Sequence, residues 1–405
     1  MPLSAPPKIA AVEAFPIRLP RDLAAATGTA GAPTALSGGA GGYHWSAVYP
    51  VLYSRYIETA LVRVTLDNGL HGWGEAQAPL APRVASTIVT DLLAPALQGE
   101  GFDGRRETIE ALWQRMFQTM RVRGQTGGFM IDAISGVDLA LWDLAGKMQG
   151  QPVAQLLAAG DARTTVPAYL SGVSGDGESE RAAFARRHFD QGFGAVKIFH
   201  DGGAAGLLSL IDVLRAALGG EARIAVDALW RLDISRDEAV FHELQTRGLF
   251  WLEAPFNPDE FEPHRQLRQH YDIPLAVGES YRTLRELEPF FAGRLIRFVQ
   301  PDLGRSGLTE TLRIGQRAAA GDVAVVPHVS IALGPQIAAA IHAAAAIPNC
   351  PICEYNPTVF QVSNRYLAEP LHFAGAAYQI PSAPGLGVEI RLDELLKDNL
   401  GFGEK

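Results

Sequence analysis

Six side chains able to bind a metal or move a proton recur at nearly constant spacing: Asp227, Glu253, Glu279, Asp302, His328 and Glu354, at intervals of 26, 26, 23, 26 and 26 residues. Each closes or follows a short apolar run, as in "RIAVDAL", "LFWLEAPF" and "VAVVPH". One strand–helix unit occupies about that length, so the same height of a parallel barrel is marked six times. That height is the C-terminal rim, where such barrels build active sites. A single acid at a strand end is ordinarily a helix cap or a solvated loop residue. Six in register point to a shared site. Asp227, Glu253 and Glu279 converging there would repel one another unless a cation held them, and an all-oxygen triad suits Mg²⁺. His328 lies one strand beyond Asp302, a spacing that permits a dyad in which Asp302 fixes the imidazole tautomer and raises its basicity. Lys197, inside "AVKIF", is a costly buried cation unless it faces a carboxylate or a substrate anion.

The elements that must position these groups are legible as eight short apolar runs: 166–170, 194–199, 223–229, 249–256, 274–280, 296–302, 323–328 and 351–356. Helical stretches such as 205–218, 235–247 and 306–320 lie between them, which describes a parallel α/β barrel. The first part of the chain reads as α+β. Residues 60–76 alternate Val62, Val64 and Leu66 and then turn at Asp67-Asn68-Gly69, a hairpin signal. Residues 131–150 place Ile134, Val137, Leu141 and Leu144 on one stripe, which predicts an amphipathic helix, with Gly150 just past the end. Residues 21–49 are rich in Gly, Ala and Ser, and are either a functional lid or disordered. The Ala-rich run 331–348, broken by Pro335 and His342, is a buried barrel helix rather than a membrane span. The tail 384–390 looks strand-like and returns toward the first domain.

Composition narrows the partners. The chain has 405 residues, 47% hydrophobic and 20% charged, with enough apolar mass for a large core. A formal net charge of −9 argues against nucleic acid or an anionic membrane as partner. Two cysteines, Cys350 and Cys353, make no disulfide framework, and the start of the chain shows no signal peptide, so a cytoplasmic location is expected. The cysteine pair is read as core packing. His200, after the second barrel run, and Arg305, in "DLGRSG", stand close enough to the rim to touch a substrate. Arg121 and Arg123 read as structural ion-pair partners or as ligands for a polar substrate.

Taken together, "VDLALWDLAGK", "VDAL", "LEAP", "GES", "QPDLGRSG", "VPH" and the Glu354 strand resemble the enolase superfamily, mandelate racemase subgroup, over nearly the whole chain. That resemblance implies a (β/α)₇β modified TIM barrel, here 146–369, under an α+β capping domain, here 1–145 joined by the tail 370–405. It implies that Asp227, Glu253 and Glu279 ligate Mg²⁺, that Asp302 and His328 are the dyad, and that Glu354 hydrogen-bonds the substrate carboxylate. Sites of this kind use a Lys or His base with Mg²⁺. One departure matters: the subgroup carries Lys-x-Lys at the end of the second barrel strand, whereas this chain has Lys197-Ile198-Phe199.

A racemase needs acid–base groups on both faces of the α-carbon. A dehydratase can work with one histidine, which removes the α-proton and then protonates the departing hydroxyl. The expected activity is therefore dehydration of a sugar acid, an aldonate or aldarate, to a 2-keto-3-deoxy acid, with Lys197 as electrostatic partner or displaced base. A racemase, epimerase or cycloisomerase on the same scaffold is the alternative, and a catalytically silent ligand-binding relative a third. The loops 21–49 and 76–86, carrying His44, Trp45 and Arg83, are expected to read the distal end of the substrate. By the same resemblance the protein is expected to be a homo-oligomer.

Overall fold

The computed structural model describes residues 5–20, 42–45 and 51–402. Most of the lid expected at 21–49 lies outside the described residues. The first part of the chain forms a three-stranded antiparallel sheet in the order β1 (Ile9–Pro20), β4 (Tyr56–Leu66), β5 (His71–Ala76). Between β1 and β4, a two-stranded ribbon pairs β2 (Tyr43–Trp45) with β3 (Leu52–Ser54). The β4–β5 hairpin forms as expected, but with a different turn. Only Gly69 has positive φ, 87°, while the Asn68 side chain accepts from Leu70 N at 3.0 Å. Gly69 N donates to Leu66 O and Leu66 N to Leu70 O, which is a type I turn closed by a left-handed glycine.

Eight strands follow at the expected places: β6 (Thr165–Leu170), β7 (Ala195–Phe199), β8 (Arg223–Asp227), β9 (Leu252–Glu253), β10 (Leu275–Val277), β11 (Phe298–Val299), β12 (Ala324–Val325) and β13 (Cys353–Tyr355). They pair in parallel from β6 through β12, and β13 joins the free side of β6. A helix follows each of the first seven strands, so this is a (β/α)₇β barrel with an α+β cap. The β12–β13 seam is closed by Val325 N donating to Asn349 O and by Asn349 Nδ2 donating to Val323 O. A short hairpin, β14 (Phe373–Ala374) and β15 (Ala377–Gln379), pairs antiparallel with β6. Low in the barrel, Tyr169, Trp251 and Ile352 fill the space left by Ala195, Ala225 and Ala276, the large–small alternation that packs a small barrel solid.

The helix Phe129–Gln149 ends at left-handed Gly150, so the domain boundary expected at 145/146 falls inside it. It is not amphipathic: every residue from Met130 to Gly146 is buried. The reason is its position between the cap sheet and the barrel helix Leu303–Ala319, both of which it packs against. Its buried acids tie the two parts together. Asp132 pairs with Arg282 at 2.9 Å, Asp138 accepts from Thr309 N at 2.9 Å, and Asp143 accepts from Trp73 N and Leu386 N at 2.8 and 2.7 Å. The tail touches the cap, where Glu389 Oε2 accepts from Trp73 Nε1 at 3.1 Å, but not as a strand. Residues 384–390 make only isolated bridges, to Pro152 and Leu367, turned by Gly385 and Gly387 with φ of 78° and 68°. Among the described residues, no helix is long and apolar enough to cross a membrane.

The sheet and this helix touch backbone to backbone. A Cβ on Gly74 would lie 1.9 Å from Gly136 O. Gly74→Ala is therefore expected to destabilise the fold by about 3 kcal/mol or more through overpacking. Gly194→Ala, where a Cβ meets nothing within 4 Å, is the control. Thermal unfolding of both variants checks this.

Candidate active site

Strand alternation decides which side chains meet. Ala195, Ala225, Trp251, Val326 and Ile352 face inward in the lower layer. Two residues further along the chain stand Lys197, Asp227, Glu253, His328 and Glu354, on the same face because the period of a strand is two. Asp227 pairs in register with Glu253, and Asp302 forms a bridge with His328. Glu279 departs from the pattern. The inward position after Ala276 is Gly278, where a Cβ would lie 2.3 Å from Gln300 N. Glycine lets the chain pass this close to the neighbouring strand, and the next residue supplies the carboxylate.

One oxygen each of Asp227, Glu253 and Glu279 lies within 4.8 Å of the others. Glu279 Oε1 is buried without a protein partner. Burial and the adjacent charge of Glu253 push the Asp227 carboxyl well above the ordinary carboxylate range. Three hard oxygen donors at this separation, short of positive charge, fit Mg²⁺.

Glu253 is tolerated inside "LFWLEAPF" because three donors reach it. Its Oε1 accepts from Lys197 Nζ at 2.7 Å, and its Oε2 from Trp251 Nε1 at 2.9 Å and Gln300 Nε2 at 2.6 Å. Lys197, 1% exposed, also lies 3.0 Å from Glu354 Oε1. Burial works against its charge, but Glu253 and Glu354 outweigh it and hold the ammonium well above its ordinary range. Glu354 Oε2 accepts from Val329 N at 3.0 Å. Although burial opposes it, the charges of Lys197 and His328 hold the Glu354 carboxyl below its ordinary range. The ring of Phe199, at the position of the subgroup's second lysine, has its centroid 5.9 Å from Lys197 Nζ.

The dyad is formed. His328 Nδ1 lies 2.7 Å from Asp302 Oδ2, and Nε2 lies 2.9 Å from Glu279 Oε2. Asp302 caps the helix Leu303–Ala319 by accepting from Gly304 N at 2.9 Å, and also accepts from Gln336 Nε2 at 2.8 Å and Ser330 Oγ at 3.2 Å. With Asp302 as acceptor, Nδ1 is the donor and Nε2 the atom left to exchange a proton. Burial lowers the affinity of His328 for its proton, but in the ion-free site Glu279 and Asp302 reverse this and raise it well above the ordinary value. A cation held by Glu279 would offset that rise and leave Nε2 free to act as a base. The same pairing holds the Glu279 carboxyl, despite burial, at about 2.

The expected substrate contacts are less unified. Arg305 is at the rim, where its Nε donates to Gln77 Oε1 at 2.5 Å and its charge acts on Glu279. His200 is at the end of β7, but the charged groups around it are Arg231, Asp237, Asp201 and Arg236, not the acid cluster. Side chains alternate along β7: Lys197 and Phe199 turn inward, and His200 faces the loop that follows. His44 lies against Tyr53 on the ribbon, and Trp45, opposite Leu52, is 59% exposed. Among the described residues, no hydrogen bond or ring contact joins either to the acids. Arg83 lies over the Phe402 ring at 5.9 Å. Both cysteines are buried in the core. Trp251 and Gln300 were not anticipated, though each stands two residues before a rim acid and so shares its face. Ser330, Gln336, Gln77 and Glu75 gave no such signal. Ser330 and Gln336 come from the loop and helix after His328, Gln77 from the cap, and Glu75, also of the cap, reaches Leu333 and Gln336 rather than the dyad itself.

Residues 53–158 match the family model for the mandelate racemase / muconate lactonizing enzyme N-terminal domain, and residues 180–395 match that of the enolase C-terminal domain-like family. The chain is 32% identical over 348 residues to D-galactarolactone cycloisomerase of Agrobacterium fabrum, covering 83% of this chain and 89% of that protein. It is 30% identical over 357 residues to D-galactonate dehydratase of Verminephrobacter eiseniae, covering 81% and 88%. The solved structure of a member of the enolase superfamily from Agrobacterium tumefaciens superposes with a TM-score of 0.89 at 30% identity, over 98% of this chain and 99% of that one.

Proposed function

The chain belongs to the enolase superfamily, in its mandelate racemase subgroup, and on that premise we propose that it is a Mg²⁺-dependent acid-sugar dehydratase. The observation that carries this reading is the one-sidedness of the site. A histidine poised by Asp302 stands at the mouth, whereas Phe199 occupies the position of a second base and Lys197 is held by two carboxylates.

Asp227, Glu253 and Glu279 would hold the ion, which when bound supplies positive charge to stabilise the negative charge that develops on the substrate carboxylate. The chain's own groups do the rest. His328 Nε2 removes the α-proton while Asp302 keeps Nδ1–H aligned, a contribution of about 10²- to 10⁴-fold in rate. The Lys197 ammonium, itself 1% exposed, faces the growing charge. Glu354, which the resemblance sets against the substrate carboxylate, can only accept while ionised, and so takes its hydrogen bond from a substrate hydroxyl instead. The imidazolium then returns its proton to the β-hydroxyl, which leaves as water. The enol left behind tautomerises to the 2-keto-3-deoxy acid.

A second reading is favoured by the similarity to D-galactarolactone cycloisomerase. In that case the leaving group is the ring oxygen of an acid-sugar lactone, and the same base serves. Incubation of open-chain acids and lactones with Mg²⁺ in D₂O distinguishes the outcomes. Open-chain acids are expected to give keto acid, with no epimer of recovered substrate. Inverted substrate accumulating as fast as keto acid would overturn the one-base reading, and turnover of lactones alone would favour the cycloisomerase.

A further inference from the structure

We propose that Glu75, contributed by the cap, is a positioning residue for the dyad, acting through Gln336 on Asp302. Glu75 is the penultimate residue of β5 and is fully buried. Its Oε1 accepts from Leu333 N at 2.8 Å and Thr59 Oγ1 at 2.9 Å, and its Oε2 from Gln336 N at 3.3 Å. Leu333 and Gln336 flank the start of the helix Pro335–Ala346, whose unpaired N–H groups are satisfied there by a carboxylate from the other domain. That anchoring fixes the backbone from which Gln336 reaches out. Its Nε2 donates to Asp302 Oδ1 at 2.8 Å and to Ser330 Oγ at 3.1 Å, and Ser330 Oγ in turn donates to Asp302 Oδ2, the oxygen that holds His328.

A second cap residue converges on the same place. Gln77 Nε2 donates to Ser330 Oγ at 2.5 Å, and Gln77 N to Gly304 O at 2.8 Å. Asp302 is thus aligned by donors that the cap sets in place, and a cap that sits badly misaligns the base. Burial pushes the Glu75 carboxyl to about 7, and the charge of Asp302 adds to the rise, as expected of two groups that sense each other through one network.

This rests on His328 being the base, but it can be tested without a substrate. The downfield Nδ1–H resonance of His328, assigned by its loss in His328→Asn, reports the Asp302 contact directly in the Mg²⁺-loaded protein. In Glu75→Gln and Gln336→Leu this proton is expected to exchange with water about tenfold faster, the effect of losing one aligning hydrogen bond. With a turned-over acid sugar, kcat falls by a similar factor and KM is unchanged. Thr59→Val, which removes one donor to Glu75 and touches neither Gln336 nor the dyad, gives a smaller shift in the same direction. It decides the matter if Glu75→Gln does not fold. Unchanged exchange in folded Thr59→Val and Gln336→Leu overturns the proposal. A panel in which no acid sugar turns over sinks the dehydratase reading and leaves the resonance test standing.

Discussion

His328→Asn is expected to stop solvent exchange at the α-carbon and product formation together, each by about three to four orders of magnitude, with KM little changed. The reason is local. Asparagine retains a donor toward Asp302 Oδ2, so the 2.7 Å contact and the surrounding bonds from Gln336 and Ser330 survive. What disappears is the basic nitrogen at the Nε2 position, the atom that faces the mouth. Among the described residues, the other side chains beside it are already engaged: Glu279 belongs to the metal cluster, Lys197 is committed to Glu253 and Glu354, and Phe199 has nothing to give or take. Measured exchange by NMR and keto-acid formation should fall in parallel. If exchange persists while elimination stops, the histidine is only the acid, and another group removes the α-proton.

Much of this site was legible because a strand's period and a barrel's repeat are both regular. Asp227, Glu253, His328 and Glu354 share an inward face with residues two positions earlier, so apolar runs ending in acids at even intervals report a rim directly. The interval of 23 between Glu279 and Asp302 belongs to the one place where the pattern bends, at Gly278. The anticipated substrate contacts fared differently. A residue just past a strand end can face the mouth or the outer loop, and one position of parity sends His200 away from the acids. The cap's contribution was out of reach for another reason. Glu75 meets Leu333 across 258 residues of chain, and Gln77 meets Ser330 across 253. No local period encodes such a meeting, which exists only once the sheet is seated on the barrel. The long helix misled for the same reason, since its polar residues mark contacts on every side rather than a solvent face.

Lys197→Met is expected to cost the ion-free protein about 3–5 kcal/mol of stability, the usual result of stripping one partner from a buried ion pair. The side chain is 1% exposed and is the ammonium shared by Glu253 and Glu354. Without it, both carboxylates remain buried, and only neutral donors reach Glu253 from Trp251 and Gln300. The loss should depend on pH in a definite direction. Removing the ammonium raises the folded-state pKa of Glu354, now held below its ordinary range chiefly by Lys197. A carboxyl held low contributes stability above its unfolded pKa and loses it as pH falls through the folded value; the variant forfeits that contribution and gains the opposite dependence. The unfolded state is common to both proteins and cancels. The gap between Lys197→Met and wild type should therefore narrow as pH falls from about pH 8 to about pH 4, toward the folded-state pKa that Lys197 holds below the ordinary range. It should widen as pH rises toward the variant's raised folded-state value. Saturating Mg²⁺ should restore part of the difference, because Glu253 has a cationic partner again and Glu354 does not. Denaturant unfolding at both pH values, with and without Mg²⁺, makes the comparison. Equal stability of the two proteins at the higher pH without Mg²⁺ would mean that Lys197 does not carry the charge balance of the barrel mouth.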